Sequence, residues 1–292
     1  MKTRILSTLT LLVSLIFMQS CSKVTVVENE ETKSHVQITV SPFTLTMEDM
    51  GTTTRSSNLS DLATRLSFAV FDSKGELVDV VIYQEISQDD FGTINLELYP
   101  GSYKLVAVAH NGDEDATISS ISSVTLPGNN FTDTFSDVVE LTVEANQDCS
   151  KEMLLPRATA AFVLKLLDAP PANVAKIKVV VNANATDVGP LEIEPKGRVA
   201  TKNLKQTREI PIANLNEEGI TVYYICMTNE QQLAVKATAY DADNKEIISH
   251  TLSGVLLKTN KQTTATGYFF KSTGAASITV NGTWGEGINI SF

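Results

Sequence analysis

Residues 65–78 read RLSFAVFDSKGELV, and residues 91–112 read FGTINLELYPGSYKLVAVAHNG. Both stretches contain short runs rich in Val, Leu, Phe and Tyr, separated by residues that favour turns. Side chains of an extended chain point alternately to its two sides, so apolar residues at every second position indicate a strand with one buried face. The DSKG sequence at 72–75 predicts a hairpin turn, and Pro100-Gly101 predicts another that closes residues 94–99 onto 103–109.

The same period of two recurs along the rest of the chain. Many short strands separated by turn residues are typical of sandwiches and barrels, and no stretch has the pattern of an amphipathic helix of normal length. The sequence therefore predicts an all-β fold. Residues 241–244 predict a hairpin resembling the one at 72–75, which suggests two related halves. The other strand-like runs are residues 36–40, 66–71, 77–83, 138–143, 162–167, 177–181, 222–226, 233–240, 247–248 and 278–280.

Composition limits the classes of protein to consider. The chain has 292 residues, 42% of them apolar, which is enough for two domains with cores of their own. Its 34 acidic residues outnumber 23 basic ones, and this negative charge repels nucleic-acid phosphates, so we expect no nucleic-acid partner. The three cysteines are too scattered for a disulfide framework, and we predict that Cys149 and Cys226 are free thiols. The alternative is that these two pair in an oxidising compartment.

The sequence lacks the standard signatures of catalysis. It contains no nucleophile elbow, phosphate-binding loop, dinucleotide-binding turn or zinc-protease histidine pair. We therefore predict no enzyme, no catalytic residue and no cofactor. Residues 113–115 are Asp-Glu-Asp and offer oxygen ligands of the kind calcium prefers, but adjacent acids in a glycine-containing loop are usually solvated, so we predict no metal site either.

The amino terminus has the features of an export signal. Lys2 and Arg4 precede fourteen uncharged residues, which is too short a run for a membrane-spanning helix and typical of a signal-peptide core. Cys21 follows this run in a sequence that resembles a bacterial lipobox, so we predict a signal peptide at 1–20, a lipidated Cys21 and a polar tether at 21–35. The alternative is an ordinary secretory signal in which Cys21 is incidental.

The two stretches quoted first resemble the fimbrillin family, the type V pilus subunits and anchor proteins of certain Gram-negative anaerobes. The resemblance continues in LPRATAAFVLKLL at 155–167, PANVAKIKV at 171–179 and AYDAD at 239–243. It implies two transthyretin-like β-sandwich domains, which we place at 36–155 and 156–292. It also implies export as a palmitate-bearing outer-membrane lipoprotein, surface exposure, and assembly with other fimbrial subunits by strand exchange.

The first predicted strand and the residues just after it carry six apolar side chains. Val36, Ile38 and Val40 share one parity, whereas the apolar residues after Pro42 have the opposite parity, so we expect a bulge or a change of sheet at Pro42. Burial of these side chains is comparable with the net stability of a domain. This strand is the candidate for displacement during assembly, and its residues are Val36, Ile38, Val40, Phe43, Leu45 and Met47.

A small polar loop around Arg55 follows that strand. Exposed loops of small polar residues are preferred sites of proteolysis. In the family that the chain resembles, cleavage after an arginine beyond the first strand opens a groove for a neighbouring subunit, so Arg55 is a candidate maturation site. The alternative is an uncut loop, which would suit a permanently anchored subunit.

The carboxyl terminus carries six apolar residues at even positions, with small or polar residues at the odd positions between them. This pattern predicts an extended strand that could add to the sheet of a neighbouring subunit. The alternative is a last strand or hairpin in the chain's own second sandwich, with residues 285–287 as its turn. The candidate donor residues are Ile278, Val280, Trp284, Ile288, Ile290 and Phe292.

Two classes of function remain. The first is a structural pilus subunit or pilus-anchor lipoprotein that supports cell adhesion. The second is a surface glycan-binding lipoprotein, in which aromatic side chains would stack on sugars. A concave row of exposed aromatics would favour the second, and its candidates are Tyr223, Tyr224, Tyr240 and Tyr268.

The lipid anchor can be tested by the substitution Cys21→Ala. We expect the protein to leave the outer-membrane fraction or to remain unprocessed, because a covalent lipid is the only anchor the sequence predicts. Immunoblots of membrane and soluble fractions measure this. An unchanged amount of the variant in the membrane fraction would contradict the lipoprotein hypothesis.

Overall fold

Backbone pairing between strands provides nearly all the regular structure in this computed structural model, which describes residues 32–43, 58–187, 189–195, 199–200, 204–271, 277–281 and 289–291. Two 3-10 helices, Leu59–Asp61 and Ile212–Asn214, are the helical elements within those ranges. The strands in chain order are β1 (Ser34–Phe43), β2 (Arg65–Phe71), β3 (Ile82–Glu85), β4 (Thr93–Leu98), β5 (Gly101–His110), β6 (Thr117–Ser120), β7 (Ser123–Leu126), β8 (Thr134–Val143), β9 (Cys149–Pro156), β10 (Ala160–Leu166), β11 (Lys176–Val181), β12 (Leu191–Glu194), β13 (Val199–Ala200), β14 (Gln206–Pro211), β15 (Ile220–Tyr224), β16 (Glu230–Tyr240), β17 (Glu246–Lys258), β18 (Gln262–Gly267), β19 (Ser277–Asn281) and β20 (Asn289–Ser291).

These strands form five sheets in the described part of the chain. Sheet A has the order β4-β1-β9, sheet B β3-β2-β5-β8, sheet C β13-β12-β7-β6, sheet D β15-β10-β18-β19-β20, and sheet E β14-β11-β16-β17. Sheets A and B contribute the side chains of one core, and sheets D and E contribute those of another. The prediction of an all-β fold with two sandwiches is confirmed.

The first half of the chain (β1 to β9) and the second half (β10 to β20) share one topology. Sheets A and B correspond strand for strand to sheets D and E if β1 is matched with β10, β2 with β11, β3 with β14, β4 with β15, β5 with β16, β8 with β17 and β9 with β18. Each half begins with a strand that pairs antiparallel on one side and parallel on the other. The fold is therefore duplicated, and β19 and β20 extend sheet D beyond the shared pattern.

The hairpins that suggested this duplication are not equivalent. Asp72 and Asp241 do form the same local turn, because each side-chain Oδ1 accepts the backbone N–H groups two and four residues later, at 2.8–3.0 Å. However, the first turn joins β2 to β3 and the second joins β16 to β17, which occupy different places in the shared topology. The residues of a turn determine the local path of the backbone, but they do not determine where the hairpin lies in a sheet.

A second correction concerns Pro100-Gly101. The sequence predicted that this turn closes a hairpin, but β4 belongs to sheet A and β5 to sheet B, so the chain crosses between the layers of the sandwich there. A connection between layers and a tight hairpin have similar turn residues and similar strand lengths. The run predicted at 77–83 is also shorter than expected, since Leu77 forms only an isolated bridge with Phe71 and β3 begins at Ile82.

Sheet B is buried on both faces. Leu105, Ala107 and Ala109 of β5 lie in the first core, and Val106 and Val108 pack on the opposite side against sheet C. The sequence LVAVA at 105–109 is therefore continuously apolar, as expected for a strand covered on both sides.

Sheet C joins the two halves. It combines the β6–β7 hairpin of the first half with β12 and β13 of the second, and β12 pairs antiparallel with β7 from Leu191 opposite Leu126 to Ile193 opposite Val124. These are the two insertions into the shared topology. The domain limits 36–155 and 156–292 remain a proposal, and strand pairing crosses the division between them.

A buried ion pair lies where the first half passes into the second. The Arg157 guanidinium donates to both carboxylate oxygens of Asp133, at 2.8 and 2.9 Å, and lies 4.7 Å from the ring centre of Phe135. Thr159 also donates to Asp133, at 2.9 Å. Because these groups are buried and satisfied by each other, losing one partner would leave a buried charge, so the joint has one favoured arrangement.

Burial on both faces of sheet B gives a stability prediction. Val108→Ala should lower the free energy of unfolding by about 2 kcal/mol, because two buried methyl groups are removed from the interface with sheet C. Val80→Ala is the control, since Val80 is 71% exposed, and should change it by less than about 0.5 kcal/mol. Urea unfolding measures both. Equal effects would contradict the three-layer packing.

Candidate functional site

The site that the sequence singled out is the position of β1 in sheet A. β1 is the central strand: Ser34 to Thr39 pair with β4, and Val36 to Phe43 pair in parallel with β9. Pairing on both sides satisfies the backbone groups of β1. If β1 were absent, β4 and β9 would face each other across an unfilled strand position.

The inward side of β1 closes the first core. Val36 and Ile38 are completely buried and Val40 is 3% exposed. These side chains pack in one cluster with residues of sheet B and of β9, namely Leu66, Phe68, Leu105, Ala107, Phe135, Met153 and Leu155. Burial of Val36, Ile38 and Val40 contributes roughly 5–9 kcal/mol of gross hydrophobic free energy, which is comparable with the net stability of a domain.

The alternation of β1 continues past the predicted break. Pro42 is also buried, and β1 keeps its register with β9 up to Phe43 opposite Pro156. The predicted bulge or change of sheet at Pro42 is therefore not found in the described part of β1. Phe43 has the backbone of a strand residue, and Leu45 and Met47 lie outside the described residues.

Polar contacts hold β1 at both ends. Near its start the His35 backbone N–H donates to Asp148, at 3.1 Å, and the His35 side chain contacts Glu97 at 3.1 Å. Near its end the Val40 N–H donates to the Gly92 carbonyl at 2.7 Å. Gly92 has φ +89°, and a Cβ there would lie 3.2 Å from the Val40 carbonyl oxygen, so the close approach requires glycine.

The candidate cleavage and lipidation sites lie outside the described residues. Fourteen residues, 44–57, separate the end of β1 from the next described residue, Asn58, and Arg55 is one of them. Leu59 follows at once and is buried in the first core. Cys21 lies in the amino-terminal segment that is likewise not described, so both assignments stay predictions.

The candidate donor residues lie partly in β19 and β20. β19, which contains Ile278 and Val280, pairs antiparallel with β18, and β20, which contains Ile290, pairs back onto β19. Trp284, Ile288 and Phe292 lie outside the described residues. Just before β19, Asp168 accepts three backbone N–H groups, those of Phe269, Phe270 and Lys271, at 2.7–2.9 Å, which fixes the chain at the end of β18. The donor assignment stays a prediction.

Neither remaining cysteine forms a disulfide bond. Cys226 is buried in the second core, where burial raises the pKa of its thiol to about 12, and Cys149 packs beside the first core. The two thiols therefore belong to different cores, as predicted for free cysteines.

The four tyrosines proposed for sugar stacking do not share a surface. Tyr224 is completely buried, and its hydroxyl accepts a hydrogen bond from Asn182 at 3.1 Å, while Tyr223 points to the other side of β15. Tyr240 lies beside Lys176, and Tyr268 lies beside Lys271. No concave aromatic row exists among these residues, so no observation favours the glycan-binding alternative.

The acidic loop at 113–115 lies next to the positively charged side chain of Arg65. Arg65 donates to the Asp113 carbonyl at 2.7 Å and lies 3.6 Å from the Asp115 carboxylate. Within the described residues no three His, Cys, Asp or Glu side chains are placed so that they could hold a metal ion. No helix there has the length and apolar character to cross a membrane.

Solved structures share this architecture across almost the whole chain. The fimbrial anchor protein Mfa2 of Porphyromonas gingivalis superposes with a TM-score of 0.50 and 15% identity, covering 89% of this chain and 100% of that one. A Bacteroides ovatus protein described as a "putative adhesin" gives a TM-score of 0.53 and 14% identity, covering 88% and 96%. At these identities the likeness establishes a common fold.

Sequence comparison is less informative about function. No curated protein matches the chain. A family model does match, over residues 29–291, and the chain belongs to that family, which is described as a family of unknown function, DUF6562.

Proposed function

We propose that this chain is a structural subunit or anchor of a bacterial surface fimbria, assembles by β-strand donation and supports cell adhesion. The observation that carries the proposal is the place of β1. It is the central strand of sheet A, its inward side chains are buried, and it precedes every other described strand. One cut in the fourteen residues after it would separate it covalently from the rest of the chain.

The topology explains why β1, rather than another central strand, would be the exchanged one. Its counterpart β10 holds the same position in sheet D, but it follows directly after the buried Arg157–Asp133 joint. Releasing β10 would need two cuts and the loss of that joint. Releasing β1 would need one cut and would leave sheets B to E intact.

Energetics favour replacement over an open groove. A first half without β1 would expose the core side chains that Val36, Ile38 and Val40 now cover and would leave the facing edges of β4 and β9 unpaired. A strand from another subunit with apolar residues at alternate positions would restore both sets of contacts. The shared fold with a fimbrial anchor supports this assignment.

In this proposal Cys21 carries the lipid that holds the protein on the outer membrane. The polar segment 22–31 would then connect the lipid to Thr32, where the described fold begins. An anchor would keep this segment, whereas a polymerised subunit cut after Arg55 would lose it together with β1.

Cleavage after Arg55 is tested by Arg55→Ala in producing cells. If the chain polymerises, the variant should remain a folded monomer without fibres, because β1 stays in its own groove. Electron microscopy and amino-terminal sequencing of assembled material measure this. Thr53→Ala, in the same loop, is the matched control and should assemble normally. Fibres whose first residue is Cys21 would show that β1 need not be removed.

Donation by the carboxyl terminus is tested by deleting residues 286–292. If this segment is donated, assembly should be lost while the melting temperature of the monomer is unchanged, because a donated strand contributes to a neighbour's sheet. Calorimetry of the monomer and electron microscopy of assemblies distinguish the cases. A destabilised monomer would assign this segment to the chain's own second sandwich and would end the donor hypothesis.

A further inference from the structure

The first sandwich has an open side formed by two edge strands. β4 pairs with β1 and β3 pairs with β2, and no described strand pairs with the other side of either. The two edges meet at one end, where buried Gln84 of β3 donates to the Thr93 carbonyl and accepts from the Gly92 N–H, each at 2.9 Å. Among the described residues, no such hydrogen bond joins residues 95–98 to β3.

A groove lies between residues 95–98 of β4 and residues 78–82, where no hydrogen bond joins the two edges. Its volume is about 290 Å³. Val80, at 71% exposure, and Val78, at 40%, form part of its wall. The other apolar residues that line it are Phe68, Val70, Ile82, Leu96 and Leu98.

Exposed apolar side chains are frequent in this part of the sequence, and two of them reach the groove. Among the described residues ten large apolar or aromatic side chains are exposed, and five of them lie between positions 77 and 86: Leu77, Val78, Val80, Tyr83 and Ile86. Of these five, Val78 and Val80 line the groove. A soluble surface rarely groups such residues unless they make contact with something.

The corresponding edges of the second sandwich are β14 and β15, and the segment that joins them packs Ile212 and Leu215 against the second core. In the first sandwich the segment between β3 and β4 likewise packs Phe91 against the core. The exposed Val78 and Val80 lie in the preceding segment, between β2 and β3.

The rim of the groove is acidic. Asp79 and Glu97 line it, with Lys33 as the one basic residue among the lining residues. Between positions 72 and 97 the chain has seven acidic residues and one basic residue, Lys74. Glu97 also contacts the His35 side chain at 3.1 Å. An occupant with basic side chains would complement the two carboxylates.

We propose that the open side of the first sandwich binds an extended, basic polypeptide segment of a partner protein, with apolar side chains at alternate positions. Its backbone would pair with the free edge of β4, its apolar side chains would enter the groove, and its Lys or Arg side chains would face Asp79 and Glu97. This site lies beside β4 and differs from the position that β1 occupies, so it does not depend on strand exchange at β1.

The chain's own amino-terminal segment fits this site less well. The Thr32 hydroxyl donates to Asn146 at 2.7 Å, in the turn between β8 and β9, which directs the chain before it towards β9, although Lys33 lines the groove. Residues 28–31 include three glutamates in four positions, which the acidic rim would repel.

The proposal is tested with a fluorescent heptapeptide, Lys-Ile-Lys-Val-Lys-Val-Lys, and its counterpart with Glu in place of Lys. Fluorescence anisotropy with the full mature chain should show at least tenfold tighter binding of the basic peptide, weakening as salt is raised. Amide exchange should slow in β4. Equal binding of both peptides, or binding of neither, would overturn the proposal.

Matched variants locate the binding surface. Val80→Ser should weaken binding at least fivefold, whereas Leu154→Ser, at an exposed position on β9, should not. Asp79→Lys with Glu97→Lys should reverse the preference towards the acidic peptide, and Glu152→Lys on β9 should leave it unchanged. All five positions are exposed, and circular dichroism of each variant checks that it is folded. Loss of binding in the β9 variants, or a dimer in sedimentation that Val80→Ser abolishes, would overturn the proposal.

Discussion

The first sandwich depends on one strand being held on both sides. β1 joins β4 to β9, and its inward residues Val36, Ile38 and Val40 close the core against sheet B. The other two strands of sheet A, β4 and β9, are both edge strands. A domain built in this way is stable only while the central position is filled, but backbone pairing and alternate apolar side chains can come from any strand of matching pattern. The same physical constraint therefore explains the stability of the first half and underlies the exchange proposed for it.

The rest of the molecule is organised so that such an exchange would remain local. Sheet C joins strands of both halves, and the buried Arg157–Asp133 pair fixes the passage from β9 to β10. Neither feature involves β1. The first core could lose and regain a strand while the connection between the halves, which would transmit force in a fibre, is unchanged.

The sequence was informative where one face of a strand is exposed and uninformative where contacts depend on distant parts of the chain. Alternation at 36–40 identified β1, which extends further at both ends, and the Asp241 turn identified the β16–β17 hairpin. Pro100-Gly101 was misassigned because a turn has the same residues whether it joins partners or layers. The packing of sheet C on sheet B is visible in the sequence only as the unbroken apolar run at 105–109 of β5, because a strand covered on both faces has no polar side. The groove beside β4 could not be predicted. Val78 and Val80 resemble ordinary strand residues in the sequence, and only the structure shows that the neighbouring edges are unpaired.

The central claim is that the β1 position accepts a replaceable strand. The most direct measurement replaces residues 51–57 with the site of a sequence-specific protease, cuts the folded protein there, and adds excess isotope-labelled peptide 32–47. Native mass spectrometry then follows the exchange of the bound strand. The account predicts that the cut protein stays folded and takes up the labelled peptide in place of its own strand, while a peptide carrying Ile38→Asp is not taken up. It would be contradicted if the original strand were never replaced, or if both peptides entered equally well.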